Sequence, residues 1–177
     1  MSGTQTPGVE STCAALRQYL DESGLEHEWT STTDVVVVLP GEQKLRTTVS
    51  ISAGEHAVTF NAFVIRHPDE NEAAMYRWLL RRNRRMYQVA YAIDHLGDVY
   101  LVATLGHAGI TDDELDRIFG AILDGADSVF NQLLEIGFLT AIAREYRWRR
   151  DRGESMANLT AFAHLFHVFD ADDASSS

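Results

Sequence analysis

Between residues 45 and 105 the hydrophobic period changes twice, and few folds accommodate the result. Leu45, Thr47, Val49 and Ile51 alternate with Arg46, Thr48, Ser50 and Ser52. A period of two sends these sets to opposite faces of a strand, one inward and one toward water or a partner. Ala53-Gly54-Glu55 then turns the chain into a further strand over 57–65. A link this short makes the pair antiparallel, because a parallel return needs a crossover of a dozen or more residues. The period becomes helical over 71–86 and returns to strand over 89–93 and 99–105. His95-Leu96-Gly97-Asp98 joins the last two strands, with Gly97 free to adopt the positive φ of a tight turn.

The flanks extend this pattern. Val9, Cys13, Leu16 and Leu20 recur at helical spacing, and Gly24 ends that helix. The apolar run 35–39 reads as a strand buried on both faces, with Pro40-Gly41 turning the chain after it. Downstream, Thr111 and Glu114 form a capping box for a long helix whose stripe is Leu115, Ile118, Phe119, Ile122, Val129 and Leu133. Gly120 and Gly125 allow a neighbouring element to approach it closely, and Gly137 weakens it. The basic stretch around Tyr146 and Trp148 continues as helix until Gly153, and a short amphipathic piece follows over 156–166.

The expected order is α-βββ-α-ββ-α, an α+β sandwich whose antiparallel sheet is flanked by helices, with a C-terminal helical extension. At 177 residues and 45% hydrophobic content the chain can bury one core and has no length for a second full domain. The expected divisions are a flexible N-terminus over 1–8, the principal domain over 9–137, the extension over 138–168 and a disordered acidic, serine-rich tail over 169–177.

Charge and hydropathy exclude several partners. The net charge of −11 opposes broad binding to nucleic acid or anionic membrane. The chain has no run of 18 apolar residues, and residues 1–8 lack the basic and apolar regions of a secretory leader, so a cytoplasmic protein is expected. The lone Cys13 cannot form an internal disulfide and reads as a small core residue.

The helix over 71–86 is the least ordinary segment. Pro68 blocks further strand pairing, Asp69 is placed to accept from the first turn of the helix, and Glu72 to complete a capping box. Met75, Tyr76, Trp78, Leu79, Leu80, Asn83, Met86 and Tyr87 spread over roughly 200° of its surface, wider than one sheet requires. Either the C-terminal extension or a second chain is needed to cover the remainder. Arg77, Arg81 and Arg84 are expected to point away, Arg82 to project between Trp78 and Met86, and Arg85 to lie beside Trp78. Their stems would pack on the indole while the guanidinium groups reach water or an acid. Tyr76, Trp78, Arg82, Arg85 and Met86 are therefore the candidate partner surface. Asn83, in the middle of the stripe, is expected to bond backbone.

Few residues suggest bond chemistry. His164 and His167 have a ligand-like spacing without a third ligand, so neither a metal nor a cofactor is expected. His67, Asp69, Asp94, His95 and Asp98 fall at strand ends and turns, where each has an adequate local role, and no catalytic residue is assigned.

The stretch TTVSISAGEHAVTFNAFVIRHPDENEAAMYRWLLRRNRRMYQVAYAIDHLGDVYLVATL, followed by FNQLLEIGF and NLTAFAHLF, resembles the YbjN-domain family of bacterial proteins. RHPDEN, YRWLLRRN and LGDVYLVATL are its distinctive pieces, and the resemblance spans residues 9–166. It implies the type III secretion chaperone fold, in which two chains commonly dimerise. It also implies a sensory transduction regulator without an established reaction or ligand.

Three readings follow. The first is a non-enzymatic, homodimeric regulatory or chaperone-like module that binds a protein client. The second is a sensor in which Arg82 and Arg85, with the basic group from Arg144 to Arg152, hold a phosphorylated small molecule or an acidic partner. The third is an enzyme built on the turn residues around His67 and His95.

Overall fold

The computed structural model describes residues 8–175, and the flexible N-terminus expected over 1–8 lies almost wholly outside them. Helix α1 (Val9–Ser23) buries Cys13, Leu16, Tyr19 and Leu20 and ends at Gly24, whose φ is 68°. Strands β1 (Glu26–Trp29), β2 (Asp34–Pro40), β3 (Arg46–Ala53) and β4 (Val58–Ile65) follow. Helix α2 (Glu72–Asn83) leads to β5 (Ala90–Ile93) and β6 (Val99–Leu105). Helices α3 (Asp112–Ala126) and α4 (Phe130–Arg152), a 3-10 segment (Ala157–Leu165) and α5 (Phe166–Ser175) complete the described chain.

The strands form one antiparallel sheet in the order β1-β2-β3-β4-β6-β5. Its inner face carries rows such as Val37–Val49–Ala62–Leu101–Tyr91, all buried. Val35, Ile51, Phe60 and Ala103 form the next row, and Phe60 meets Phe119 of α3 edge-to-face at 6.3 Å. The stripe expected from spacing is buried as a set, Leu115, Ile118, Phe119 and Ile122 on α3, Val129 at the junction after it and Leu133 on α4. Thr111 Oγ1 accepts from the Glu114 N–H, making half of the expected box, while the Glu114 carboxylate turns to Tyr87 and Arg117.

Two strand expectations need correction. Four strands precede α2 rather than three, because Glu-His-Glu-Trp pairs with β2 as an edge strand. So short a segment with two acids carries little strand signal; pairing with β2 makes it one, and exposed edge charges discourage further pairing. The run 35–39 is not buried on both faces: Val35, Val37 and Leu39 are buried, whereas Val36 and Val38 remain half-buried on the outer face.

The helix expected from Thr111 through Gly137 is interrupted at 127–129, where α3 gives way to α4. Asp127 uses its carboxylate to accept from the backbone N–H groups of Glu42 (3.0 Å), Gln43 (2.8 Å) and Lys44 (2.8 Å). The β2–β3 loop is thereby tied to the helix junction. Gly125 does allow close approach, its α-carbon facing Leu101 and Met86, but Gly120 faces open space.

Helix α4 bends at Phe138, whose φ of −143° is non-helical. The segment before α2 fills the bend. Asp69 and Glu70 N–H groups donate to the Gly137 carbonyl (2.9 and 3.1 Å), and the Asn71 amide donates to that of Ile136 (3.1 Å). These bonds satisfy carbonyls that the kink releases from the helical ladder. The capping expected of Asp69 and Glu72 is not what they do: Asn71 is the N-cap residue, at φ 54°, and no side chain caps α2. Arg66 grips both Asp69 oxygens (2.6 and 2.8 Å), a pairing that holds this carboxyl below its ordinary range. Gly137 is required here, since a Cβ would lie 2.7 Å from Pro68 Cβ.

Beyond the bend the core divides. Ile142, Ala143, Tyr146, Leu159, Phe162 and Phe169 form a second cluster, in which Tyr146 stacks on Phe166 at 4.4 Å. Of the tail expected to be disordered over 169–177, residues 169–175 are helical and 176–177 lie outside the described residues. Phe169 anchors it in that cluster, and Asp170 accepts from Tyr146 (3.0 Å) and Arg150 (2.7 Å). The tail's low hydrophobicity hides these long-range bonds.

Candidate functional site

Helix α2 ends at Asn83, three residues earlier than its apolar pattern suggests. Asn83 turns the chain by bonding an edge strand: its amide donates to the Tyr91 carbonyl (3.2 Å) and its carbonyl accepts the Tyr91 N–H (2.8 Å). Residues 84–88 therefore leave the helical wheel, and Arg84, Arg85, Met86 and Tyr87 border the space against α3.

The result is a groove of about 720 Å³ between the end of α2, the following loop and α3. Trp78, Arg82, Arg85 and Met86, four of the five candidate partner residues, line it. Arg81 and Arg84, expected to point away, line it too, Arg81 from the last turn of α2 and Arg84 because the chain stops being helical after Asn83. Tyr76 does not join them; its hydroxyl donates to the Gly97 carbonyl at the β5–β6 turn (3.2 Å). Ala121 and Asp124 supply the α3 wall, and no spacing signal in the sequence ties them to α2.

The floor of the groove is fixed from below. Tyr91 is buried, its hydroxyl donates to the Gly125 carbonyl (2.7 Å), and burial pushes its pKa up to about 12. Its ring lies 6.5 Å from that of Trp78. The Arg82 guanidinium sits 5.6 Å from the Trp78 ring and donates to Asp124 (2.8 Å), while its buried Nε has no acceptor among the described residues. Arg81, Arg84 and Arg85 are exposed and form no ion pair among the described residues.

The remaining candidates are used locally. Asp94 accepts from Leu96 (2.9 Å) and Asp98 (3.0 Å), and Asp98 accepts from the His67 N–H (2.7 Å). Gly97 adopts φ 84° in this turn, and His95 is exposed beside it. In the second basic group Arg147 pairs with Asp173, Arg149 with Glu145 and Arg150 with Asp170, and none of these arginines lines the groove. His164 lies 3.2 Å from Glu135, and among the described residues no three His, Cys, Asp or Glu side chains are grouped to hold a metal ion.

Among the described residues the helices cover only the inner face of the sheet. Across the outer face, one row runs Glu28–Val36–Ser50–Asn61–Val102–Ala90, and another places Phe63 beside Tyr100 with rings 5.5 Å apart. These residues are exposed or half-buried. Among the described residues no helix is long and apolar enough to cross a membrane.

Residues 12–135 match a family model, YbjN, described as "Putative bacterial sensory transduction regulator". An uncharacterized protein of Mycobacterium leprae is 45% identical over 168 residues, covering 92% of this chain and 91% of its own length. An uncharacterized protein of Mycobacterium tuberculosis is 53% identical over 131 residues, covering 74% and 72% respectively. Among solved structures, a chain of the heterodimeric ExoU–SpcU complex from the type III secretion system of Pseudomonas aeruginosa superposes with TM-score 0.52 at 21% identity. That match covers 67% of this chain and 96% of the other. A chain of the ExsC–ExsE complex gives 0.53 at 18% identity, covering 71% and 95%. At such identities the likeness is one of fold, and it agrees with the sheet and helix arrangement above. The family match, which takes in the sheet, α2, the groove and the start of α4, shows that the chain belongs to the YbjN family.

Proposed function

We propose that the protein is a non-enzymatic regulatory module that acts in the cytoplasm as a homodimer and binds a protein client. The open outer face of the sheet carries this reading. Among the described residues, six strands present a continuous surface of small polar, β-branched and aromatic side chains, with Glu28 and the Glu26–Arg46 ion pair toward one edge and every helix on the opposite side. Such a face has the composition of a surface that another chain can cover, with Phe63 and Tyr100 as anchors. Leu80 adds exposed apolar surface on α2. Two solved complexes containing chains of similar fold, ExoU–SpcU and ExsC–ExsE, support a protein as the partner. The non-enzymatic part is supported by the turn around His67 and Asp98, whose carboxylates are committed to backbone donors.

Light scattering of the full chain across micromolar concentrations tests the dimer. The expected mass is twice that of the chain, falling to the monomer in Phe63→Asp/Val102→Asp. A strict monomer at all concentrations refutes self-association. Retention of the same captured proteins by the double variant refutes the sheet face as the client surface.

A further inference from the structure

The groove between α2 and α3 is out of balance with the rest of the chain. The protein has 26 acids against 15 lysines and arginines, yet four arginines border this groove and, among the described residues, Asp124 is the only acid in its lining. Basic residues in a last helical turn complement the helix dipole, which accounts for Arg81 and Arg82. It does not account for Arg84 and Arg85, which follow the helix and converge on the same concavity. The buried Nε of Arg82 is unmatched among the described residues, while Asp124 accepts from another of its N–H groups. Arg81, Arg84 and Arg85 have no ion pair among the described residues. Like charges gathered without a counterion repel, and an anion seated among them relieves that repulsion.

We propose that this groove binds a small molecule carrying a diphosphate or triphosphate. Arg81, Arg84 and Arg85 hold its oxygens, and its organic body lies against Trp78 and Tyr87. Charge density favours phosphate over an acidic protein segment. A diphosphate concentrates several negative charges in one compact group that guanidinium forks match bidentately, whereas a peptide spreads them over several residues. The volume of about 720 Å³ falls within the range of roughly 300–1,000 Å³ usual for small-molecule sites. The site lies on the helical side of the sheet, so the proposal does not depend on the protein-binding reading.

Calorimetric titration of the full chain with sodium pyrophosphate and with ADP, at constant ionic strength, tests it. The variants are Arg81→Gln/Arg85→Gln and, as control, Arg77→Gln, an exposed arginine on the same helix outside the groove. Saturable binding of both probes is expected, tighter for ADP. The double variant loses about tenfold or more in affinity, equivalent to about 1.4 kcal/mol, and Arg77→Gln loses none. Neither arginine makes a structural bond, and circular dichroism checks that the variants fold. Absence of saturable binding overturns the proposal, as does an equal loss in Arg77→Gln, which would mark a general field effect. Equal affinity for ADP and pyrophosphate removes the role given to Trp78 and Tyr87. A glutamate-rich peptide that binds through Arg81 and Arg85 while neither phosphate does overturns it in favour of an acidic protein segment. Mass measured on the same samples separates the two readings: a monomer that binds pyrophosphate keeps this site and loses the homodimer.

Discussion

The Glu70 carboxylate accepts from the Thr140 N–H at 2.6 Å and from the Thr140 hydroxyl at 3.0 Å. These residues belong to different halves of the molecule, one before α2 and one just past the bend in α4. Because the bend at Phe138 interrupts the α4 ladder, Glu70 acts as the N-cap of its second half, supplied from elsewhere in the chain. Glu70→Ala should cost about 1–2 kcal/mol, the usual value of a lost cap, in urea unfolding. Amide exchange should quicken around 138–142 before it does in the sheet. Unchanged exchange there would mean the bend is held without Glu70.

Gly137→Ala should be more damaging, because the new methyl enters space occupied by Pro68 and Met75. Both neighbours are buried, so relief requires moving α2 away from α4. Overpacking of this kind costs about 1–3 kcal/mol, and a melting temperature equal to that of the unaltered protein would show that the contact yields freely.

Asp127 organises the β2–β3 loop. Burial alone would raise its pKa, but the N–H groups of Lys44, Glu42 and Gln43 outweigh that and hold it below the ordinary carboxylate value. The folded form therefore favours the ionised group. Its stabilisation is complete above the unfolded pKa and is lost as pH falls through the lower folded value. Asp127→Ala leaves three backbone donors without this acceptor and should cost about 2–3 kcal/mol at neutral pH. It should also flatten the acid limb of the stability curve; a parallel curve would contradict the assignment.

Lys44, the only lysine, donates to the Phe63 carbonyl, and burial pushes its pKa down to about 8 from an ordinary 10.5, with Asp127 opposing the shift. Between those values the unfolded chain holds a proton that the folded chain has released, so this group makes stability rise with pH across that window. Lys44→Met should remove the rise. Thermal melts of both proteins at pH 7 and pH 10 measure it, and an identical pH increment in the two would refute the burial effect.

Asn83→Leu removes both partners of the Tyr91 backbone on the edge strand β5. A loss of about 1–3 kcal/mol is expected from the two unmet groups, with faster exchange of the Tyr91 amide. Because the exposed strand edge becomes available for pairing, concentration-dependent association should increase, and light scattering detects it.

Much of this architecture is legible along the chain because its causes are local. The alternation of β3, the Leu115–Leu133 stripe, the Thr111 cap and the stops at Gly24 and Gly153 each arise within a few residues, where backbone geometry and side-chain period suffice. The elements of the groove are legible only in part. Trp78, Arg82, Arg85 and Met86 share a helical face by spacing and do come together. Arg84 joins them because Asn83 captures β5 and ends the helix, a contact made after the chain has turned back, and Arg81 joins them from the last turn of α2. The Asp127 cradle links residues more than eighty positions apart, and the Glu70 cap links residues seventy apart. The strand pairing of β1 and the ordering of α5 through Phe169 and Asp170 have the same character. By itself the sequence determined the periods, the antiparallel meander and the one-sided burial of β3. Tertiary structure alone decided where α2 and α3 stop and which charges are left facing a groove, because those outcomes depend on backbone groups that only a distant segment can satisfy.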